Sequence, residues 1–472
     1  MMGNQFHSFR IENKSEEMFC RPVLFLAGQK RIIKGLTTAM ATRLTIAALA
    51  SLVVACDGAS QSNQSEDGGQ PIIDKAELSS PDAIASEKIT NELHAAEEAL
   101  YLDRYDRMLK AFQPGGSISA IYDTRGEITG AQSQKKLEAS QEFFLDEAAR
   151  KSAIAYAAER NSAALLILKD GALILEEYFG DTNQASALNS KSLAKPLGVV
   201  AVGRAIAEGH IQSLDQKASD FLTEWKGTPK EDITIRHLLG MRSGLHHQDF
   251  EPTPTHIMNR AYLHPRHEDI LINEYPLLHK PGSRYDYSNA NAEIIAPIIE
   301  RATGQTYSNW VSQEIVQKLD AAGGEVWLNR DGGIAHAGCC TLLPAQTFAK
   351  IGQLVLMDGA WEEEQLLPIG FVAQMRSPSA QNPYAGLGLF VGHPYTELRG
   401  VRNVDREVAP TFHSAPYADE DLFLFDGNSN QVVYMVPSKN LLILRVGNTP
   451  PKELAWDNAY LPNLVSGAIS KQ

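Results

Sequence analysis

Cysteine is scarce: four residues in 472, namely Cys20, Cys56, Cys339 and Cys340. That is too few for a disulfide framework, and no C-x-x-C pair suggests zinc or redox chemistry. A bridge between the neighbours Cys339 and Cys340 would close a very small, strained ring. They therefore read as small core residues, with a metal or redox role as the alternative. Basic residues are also under-represented, 43 against 57 acidic, for a net charge of −14. Nucleic-acid binding wants clustered Lys and Arg, so this balance excludes it as a partner and mainly implies solubility. No Gly-x-Ser-x-Gly occurs, which removes the nucleophile elbow of the classical α/β-hydrolases. Internal repeats are missing too. Hydrophobic and charged fractions of 43% and 21% describe an ordinary globular chain, long enough for one large domain or two medium ones.

Long apolar runs are missing as well. The apolar stretch at residues 44–55, behind Arg43, is shorter than the roughly 20 residues a spanning helix needs. It has the size of a signal-peptide core. Its end, Leu52-Val53-Val54-Ala55-Cys56, resembles the lipobox of bacterial lipoproteins. That resemblance implies cleavage after Ala55, a lipid on Cys56, and a periplasmic lipoprotein of the bacterial cell envelope. Asp57 resembles an inner-membrane retention signal, which leaves the choice of membrane to the host. The alternative is a hydrophobic N-terminal helix with an incidental cysteine. Residues 1–39 carry Glu12, Glu16 and Glu17 and make no signal n-region, so translation is expected to begin at Met40, with 1–39 a spurious extension. Residues 56–85 open with a Gly- and Ser-rich polar stretch and read as a flexible tether.

Beyond the tether, Ile89, Leu93, Ala96, Leu100 and Leu109 recur at helical spacing, so residues 86–112 read as an amphipathic helix. Pro114-Gly115-Gly116 breaks it, and a second helix is expected over 142–160. Residues 163–179 read as two strands joined at Lys169-Asp170-Gly171. A mostly helical middle runs from 193 to 370. Residues 431–446 form another apolar hairpin, and a closing helix is expected over 457–469. Strands at both ends with helices between them indicate an α+β fold: one antiparallel sheet built from the two hairpins, flanked by helices, with a mostly helical region. The division is a helical extension at 86–150 followed by one domain at 151–472.

The chemistry concentrates at Ser192-Leu193-Ala194-Lys195, at the mouth of an apolar helical run. Residues three apart share a helix face, so the lysine amine sits beside the serine hydroxyl. A serine needs such a neighbouring base to become a nucleophile. A partly desolvated lysine can be that base, and the helix N-terminus aims N–H groups at developing negative charge.

Three further features accompany this pair: the segments 209–215 and 233–245; Tyr287-Ser288-Asn289 before a helix at 290–303; and the strand region Phe425 to Gln431. With them, residues 150–450 resemble the serine β-lactamase and penicillin-binding-protein superfamily. The nearest likeness is its class C-like branch, which includes esterases, D-aminopeptidases and 6-aminohexanoate-dimer hydrolases. The resemblance implies that Ser192 is acylated, Lys195 assists as base, Tyr287 passes the proton to the leaving group, and Asn289 holds substrate. It places Asn428, Ser429 and Asn430 where the family carries Lys-Thr-Gly or His-x-Gly on an edge strand. It also puts the backbone N–H groups of Ser192 and Gln431 in the oxyanion hole. Neutral Asn428 removes a cation that in β-lactamases and DD-peptidases helps bind a substrate carboxylate, and Asn430 adds a side chain where substrate lies. A small ester or amide substrate is thus expected, with neither metal nor organic cofactor. The rivals are a true β-lactamase or DD-peptidase, and a catalytically weak protein binding cell-wall fragments.

His246, His247, Asp249, His256, His264 and His267 cluster in sequence without a common ligand spacing. They are expected as a wall of the substrate pocket, with a metal site as the alternative. His237 is expected to pack or cap locally.

Overall fold

The Asp170-Gly171 turn shows how this chain builds its sheet. Both residues have positive φ, 52° and 82°, as a two-residue hairpin with right-handed strand twist requires. The turn joins the antiparallel strands Ser162–Lys169 and Ala172–Tyr178. In this computed structural model, which describes residues 81–111, 113, 118–247, 253–400 and 410–471, the C-terminal hairpin lies directly against the first. Leu441–Gly447 pairs with Ser162–Lys169 on one side and with Gln431–Val436 on the other. Phe423–Gly427 and the short Phe390–Val391 complete a six-stranded antiparallel sheet. The two chain-end hairpins thus form one sheet, as their apolar pattern implied, and the fold is α+β. The leader at 40–55, Cys56, the tether as far as residue 80 and Asp249 lie outside the described residues; residues 81–85, expected as the end of the tether, are instead the start of a helix.

The helix Ala194–Ala207 is apolar apart from Lys195 and Arg204, and twelve of its fourteen residues are buried, as a helix enclosed by the core should be. Its neighbours include Ile295–Thr303 and the buried Trp310, whose indole donates to the Ala201 carbonyl at 3.1 Å.

A second sheet of four short strands escaped the sequence reading. Its order is Arg125–Ile128, Gly324–Trp327, Thr341–Leu343, Leu188–Asn189. Strands of two to four residues carry too little alternation to register as a period. Leu188–Asn189 matters most here, because the chain runs from it into Ser192. Ser190 donates its N–H to the Thr341 carbonyl (2.8 Å) and its Oγ accepts from the Thr341 N–H (3.0 Å). These bonds fix the turn that carries the nucleophile.

The first helix spans Pro81–Ala111. Its buried Tyr101 and Tyr105 pack with Leu263 and Trp327, and its Arg104 donates to the Asn329 carbonyl at 2.7 Å. Two helix boundaries differ from expectation at the chain's other seam. Phe143–Leu145 and Ile469–Lys471 pair as strands, so the adjoining helices shrink to Glu147–Glu159 and Tyr460–Ser466. Bulky Phe143-Phe144-Leu145 suits a strand, and Gly467 weakens continuation of the last helix. The helix expected at 290–303 is two, Asn289–Glu293 and Ile295–Thr303. Among the described residues no helix is long and apolar enough to cross a membrane.

Candidate active site

Ser192 sits in a short 3-10 turn, Lys191–Leu193, immediately before the buried helix. Lys195, one turn on, brings its amine to 3.2 Å from Ser192 Oγ. The same amine donates to Asn289 Oδ1 (2.9 Å) and to the Gly338 carbonyl (2.7 Å), and only 7% of Lys195 is exposed. Tyr287 OH lies 2.9 Å from Ser192 Oγ. The Lys195 amine also lies 4.9 Å from the centre of the Tyr287 ring. Lys195 and Tyr287 therefore meet at Ser192 Oγ, and Asn289 joins them through the lysine amine. The Gly338 carbonyl was not foreseen, since nothing in the sequence marks a carbonyl as an acceptor.

The facing wall differs from expectation. Residues 428–430 do not continue the strand; they form the turn between Phe423–Gly427 and Gln431–Val436. The reason is backbone conformation: Ser429 and Asn430 have φ of 63° and 58°, left-handed values that end extended pairing and are uncommon for side chains other than Asn, Asp or Gly. Phe423–Gly427 is also not the sheet edge, because Phe390–Val391 lies outside it. Arg445, fully buried, holds the turn. Its Nη1 donates to the carbonyls of Ser429 (2.6 Å) and Asn430 (3.1 Å), and its other nitrogens reach Ser162, Arg160 and Asn448.

Gln431 stands behind this wall. Its side-chain amide clasps the backbone of Gly447 at the end of the next strand. The backbone that approaches the nucleophile is Gly427: a Cβ there would lie 3.3 Å from the Leu193 nitrogen and 3.4 Å from that of Ser192. Glycine is what permits this approach.

A cleft of about 530 Å³ opens over Ser192, with Tyr287, Asn289 and Gly427 to Asn430 along it. Met108, Ile118, Met258, Tyr262, Phe412 and Trp456 give it apolar walls, so the first helix and the segment after it help enclose the site. Lys191 also lines the cleft, and its ammonium donates to Ser429 Oγ at 2.5 Å. Burial, and secondarily Arg445, pull its pKa down to about 8. The sequence reading weighed the cation missing at 428 and overlooked this one.

The histidines do not wall the cleft; Met258, Asn259 and Tyr262 of the same region do. His246 stacks on His247 at 4.8 Å, His264 faces Glu98 at 3.6 Å, and His267 stacks on His336 at 4.4 Å. His237 caps its own helix through Thr234, as expected. Cys339 and Cys340 are buried, as core residues should be, but they are joined as a disulfide between neighbours, which the reading as small core thiols did not include. Cys339 lines the cleft.

Residues 150–463 match the family model named Beta-lactamase. A Staphylococcus aureus protein named flp is 28% identical over 169 residues, 33% of each chain. An Escherichia coli protein named as a D-alanyl-D-alanine carboxypeptidase is 22% identical over 180 residues, 34% of this chain and 41% of its own. The chain thus spans about a third of the length of the curated relatives it matches first. Among solved structures, a Bacillus anthracis protein named as a 6-aminohexanoate-dimer hydrolase superposes with a TM-score of 0.56. The match covers 74% of this chain and 90% of that one, at 17% identity, a likeness of fold. With two thirds of its length under that family model, the chain belongs to the β-lactamase family and has its hydrolase fold.

Proposed function

We propose that this protein is a serine hydrolase that cleaves a small ester or amide through an acyl-enzyme on Ser192. One observation carries the reading: Ser192 Oγ lies within hydrogen-bond reach of both Tyr287 OH and Lys195 Nζ. A hydroxyl flanked by two groups able to take its proton is the arrangement nucleophilic catalysis requires. When neutral, Lys195 keeps two N–H bonds, to Asn289 and Gly338, and its lone pair faces Ser192. Lys195 and Tyr287 together accept the serine proton as Oγ attacks the carbonyl. Tyr287 then protonates the leaving group, and water releases the acyl chain by the reverse route. Asn289, anchored on the amine, also borders the cleft where substrate lies.

The oxyanion needs two donors. Ser192 N–H is one. We assign the other to the peptide that follows Gly427, the N–H of Asn428, in place of Gln431, because Gly427 is the strand end that approaches the Ser192 nitrogen.

One observation favours a second reading. Lys191 at Ser429 places a cation near the turn where the family carries one, which suits a substrate bearing a carboxylate. A β-lactam or a D-alanyl-D-alanine peptide is of that kind, and the Escherichia coli relative is named for the latter. Intact-mass spectrometry separates the readings. Labelling by a fluorophosphonate and turnover of nitrophenyl esters without penicillin labelling support the esterase or amidase. Penicillin labelling supports the carboxylate reading. Labelling by neither, without turnover, points to a cell-wall-fragment binding protein. We also propose that a lipid on Cys56 tethers the enzyme at the periplasmic face of a bacterial membrane, a reading supported by the Leu52–Cys56 motif.

A further inference from the structure

We propose that His267, Glu293 and His336 form a buried site for a divalent metal ion of the zinc class, placed behind the catalytic lysine. The three side chains come from separate elements: the start of the short helix His267–Asp269, the end of the helix Asn289–Glu293, and the loop before Thr341. They are 0%, 1% and 0% exposed. One ligand atom from each lies within 4.8 Å of the other two.

Their polar atoms are unspent. Both ring nitrogens of His267, both of His336 and both carboxylate oxygens of Glu293 make no hydrogen bond within the protein. Buried polar groups are nearly always paired, and a buried carboxylate without a partner is costly. Six such atoms converging on one spot call for a shared partner. His336 Nδ1 and Glu293 Oε2 approach to 3.4 Å as a charge pair without hydrogen-bond geometry. A tetrahedral zinc shell with bonds of about 2.0–2.1 Å holds its ligand atoms about 3.4 Å apart, so this pair already stands at ligand spacing. Two imidazoles and one carboxylate are ligands zinc accepts, with a fourth position open.

The surroundings fit. The rings of His267 and His336 stack at 4.4 Å with 12° between planes; a histidine ligates through its in-plane nitrogen lone pair, so one of the two rings must turn out of the stack for both to meet the ion. Glu268 Oε2 lies 3.8 Å from His267 Nδ1 and accepts from Asn329 Nδ2, while Glu268 Oε1 pairs with Arg330. A carboxylate that closes such a gap to hydrogen-bond distance orients a ligating histidine. A void of about 10 Å³ beside Glu293, bordered by Tyr262 and Asn289, is close to the size of one water.

The position gives the ion a role. Glu293 lies four residues after Asn289 on one short helix, and His336 two residues before Gly338. Asn289 and Gly338 are the two acceptors that hold Lys195. Gly338 packs so tightly on Glu293 that a Cβ there would come within 2.8 Å of Oε1. An ion binding Glu293 and His336 would tie together both segments that position the lysine.

The test uses the full chain, stripped with a chelator and incubated separately with Zn²⁺ and Co²⁺, then desalted for elemental analysis. One equivalent of metal is expected, with the visible absorption of four-coordinate Co²⁺, and both are lost in Glu293→Gln and His267→Asn. Should a variant fail to fold, zinc X-ray absorption on the wild type decides, with two imidazole nitrogens expected in the shell. Sub-stoichiometric metal in the wild type, unchanged binding in a folded Glu293→Gln, or a shell without imidazole would overturn the site. None of these readouts depends on what Ser192 does.

Discussion

Lys191, the residue before the nucleophile, spans the mouth of the cleft to Ser429, its ammonium 2.5 Å from the hydroxyl, which in turn lies 2.7 Å from Thr449 Oγ1. The nucleophile's turn and the facing turn are thereby linked by Lys191, the one Lys or Arg among the described residues that line the cleft.

This cation titrates in an accessible range. Burial, with Arg445 second, lowers its pKa to about 8 from 10.5. Between those values the unfolded chain binds the extra proton, so the group's contribution makes stability rise with pH from about 8 to 10.5. Lys191→Met should flatten that rise in pH-dependent urea unfolding. For a carboxylate-bearing substrate, KM should climb above pH 8 by about tenfold per unit as the ammonium is lost, while a neutral nitrophenyl ester shows no such climb. Lys191→Met should raise KM for the first and leave the second nearly unchanged.

Gly427→Ala tests the oxyanion assignment. Its Cβ would press to 3.3–3.4 Å on the nitrogens of Leu193 and Ser192, so the strand end and the nucleophile's 3-10 turn must part by a few tenths of an ångström. Loss of one oxyanion donor typically costs about 10²–10³ in kcat. A kcat loss of about a hundredfold with little change in the urea midpoint is expected.

Arg445 donates five hydrogen bonds, two of which hold the facing turn at the left-handed residues Ser429 and Asn430. Hydrogen bonds from a charged group contribute about 1.5–3 kcal/mol each, and orphaned buried carbonyls add to the loss. Arg445→Met should therefore destabilise by about 3 kcal/mol or more, read as a lower urea midpoint. Activity should fall even where the protein remains folded, since Asn428 to Asn430 lose their anchor.

Asn289→Leu removes one acceptor from Lys195 while keeping comparable bulk. Lys195 would retain Gly338 and Ser192, so kcat should fall by about ten- to a hundredfold, the range of a misplaced general base. Thermal stability should change by much less than for Arg445→Met.

What could be read from the sequence, and what could not, follows from contact range. Ser192 and Lys195 sit three apart, so helical spacing announces that pair, whereas Tyr287 and Asn289 were marked by the family resemblance. The hairpins were legible from alternation and from Asp170-Gly171. The left-handed turn at 428–430 was missed although Asp426-Gly427-Asn428-Ser429-Asn430 is rich in turn-forming residues, because the family resemblance placed those positions on a strand. Lys191 finds Ser429, Lys195 finds Gly338, and His267 finds Glu293 and His336 only through the fold. No spacing rule covers pairs that far apart in the chain. The histidine cluster shows the converse: His246, His247 and His256 pack together, but His264 goes to Glu98 and His267 to His336.

The most direct test of the account is the intact mass of wild-type and Ser192→Ala protein after exposure to a fluorophosphonate, with proteolytic mapping of any adduct. The account predicts one adduct per chain on the peptide containing Ser192 and none on the variant, which should also lose all ester turnover. An adduct or surviving turnover in Ser192→Ala would contradict it.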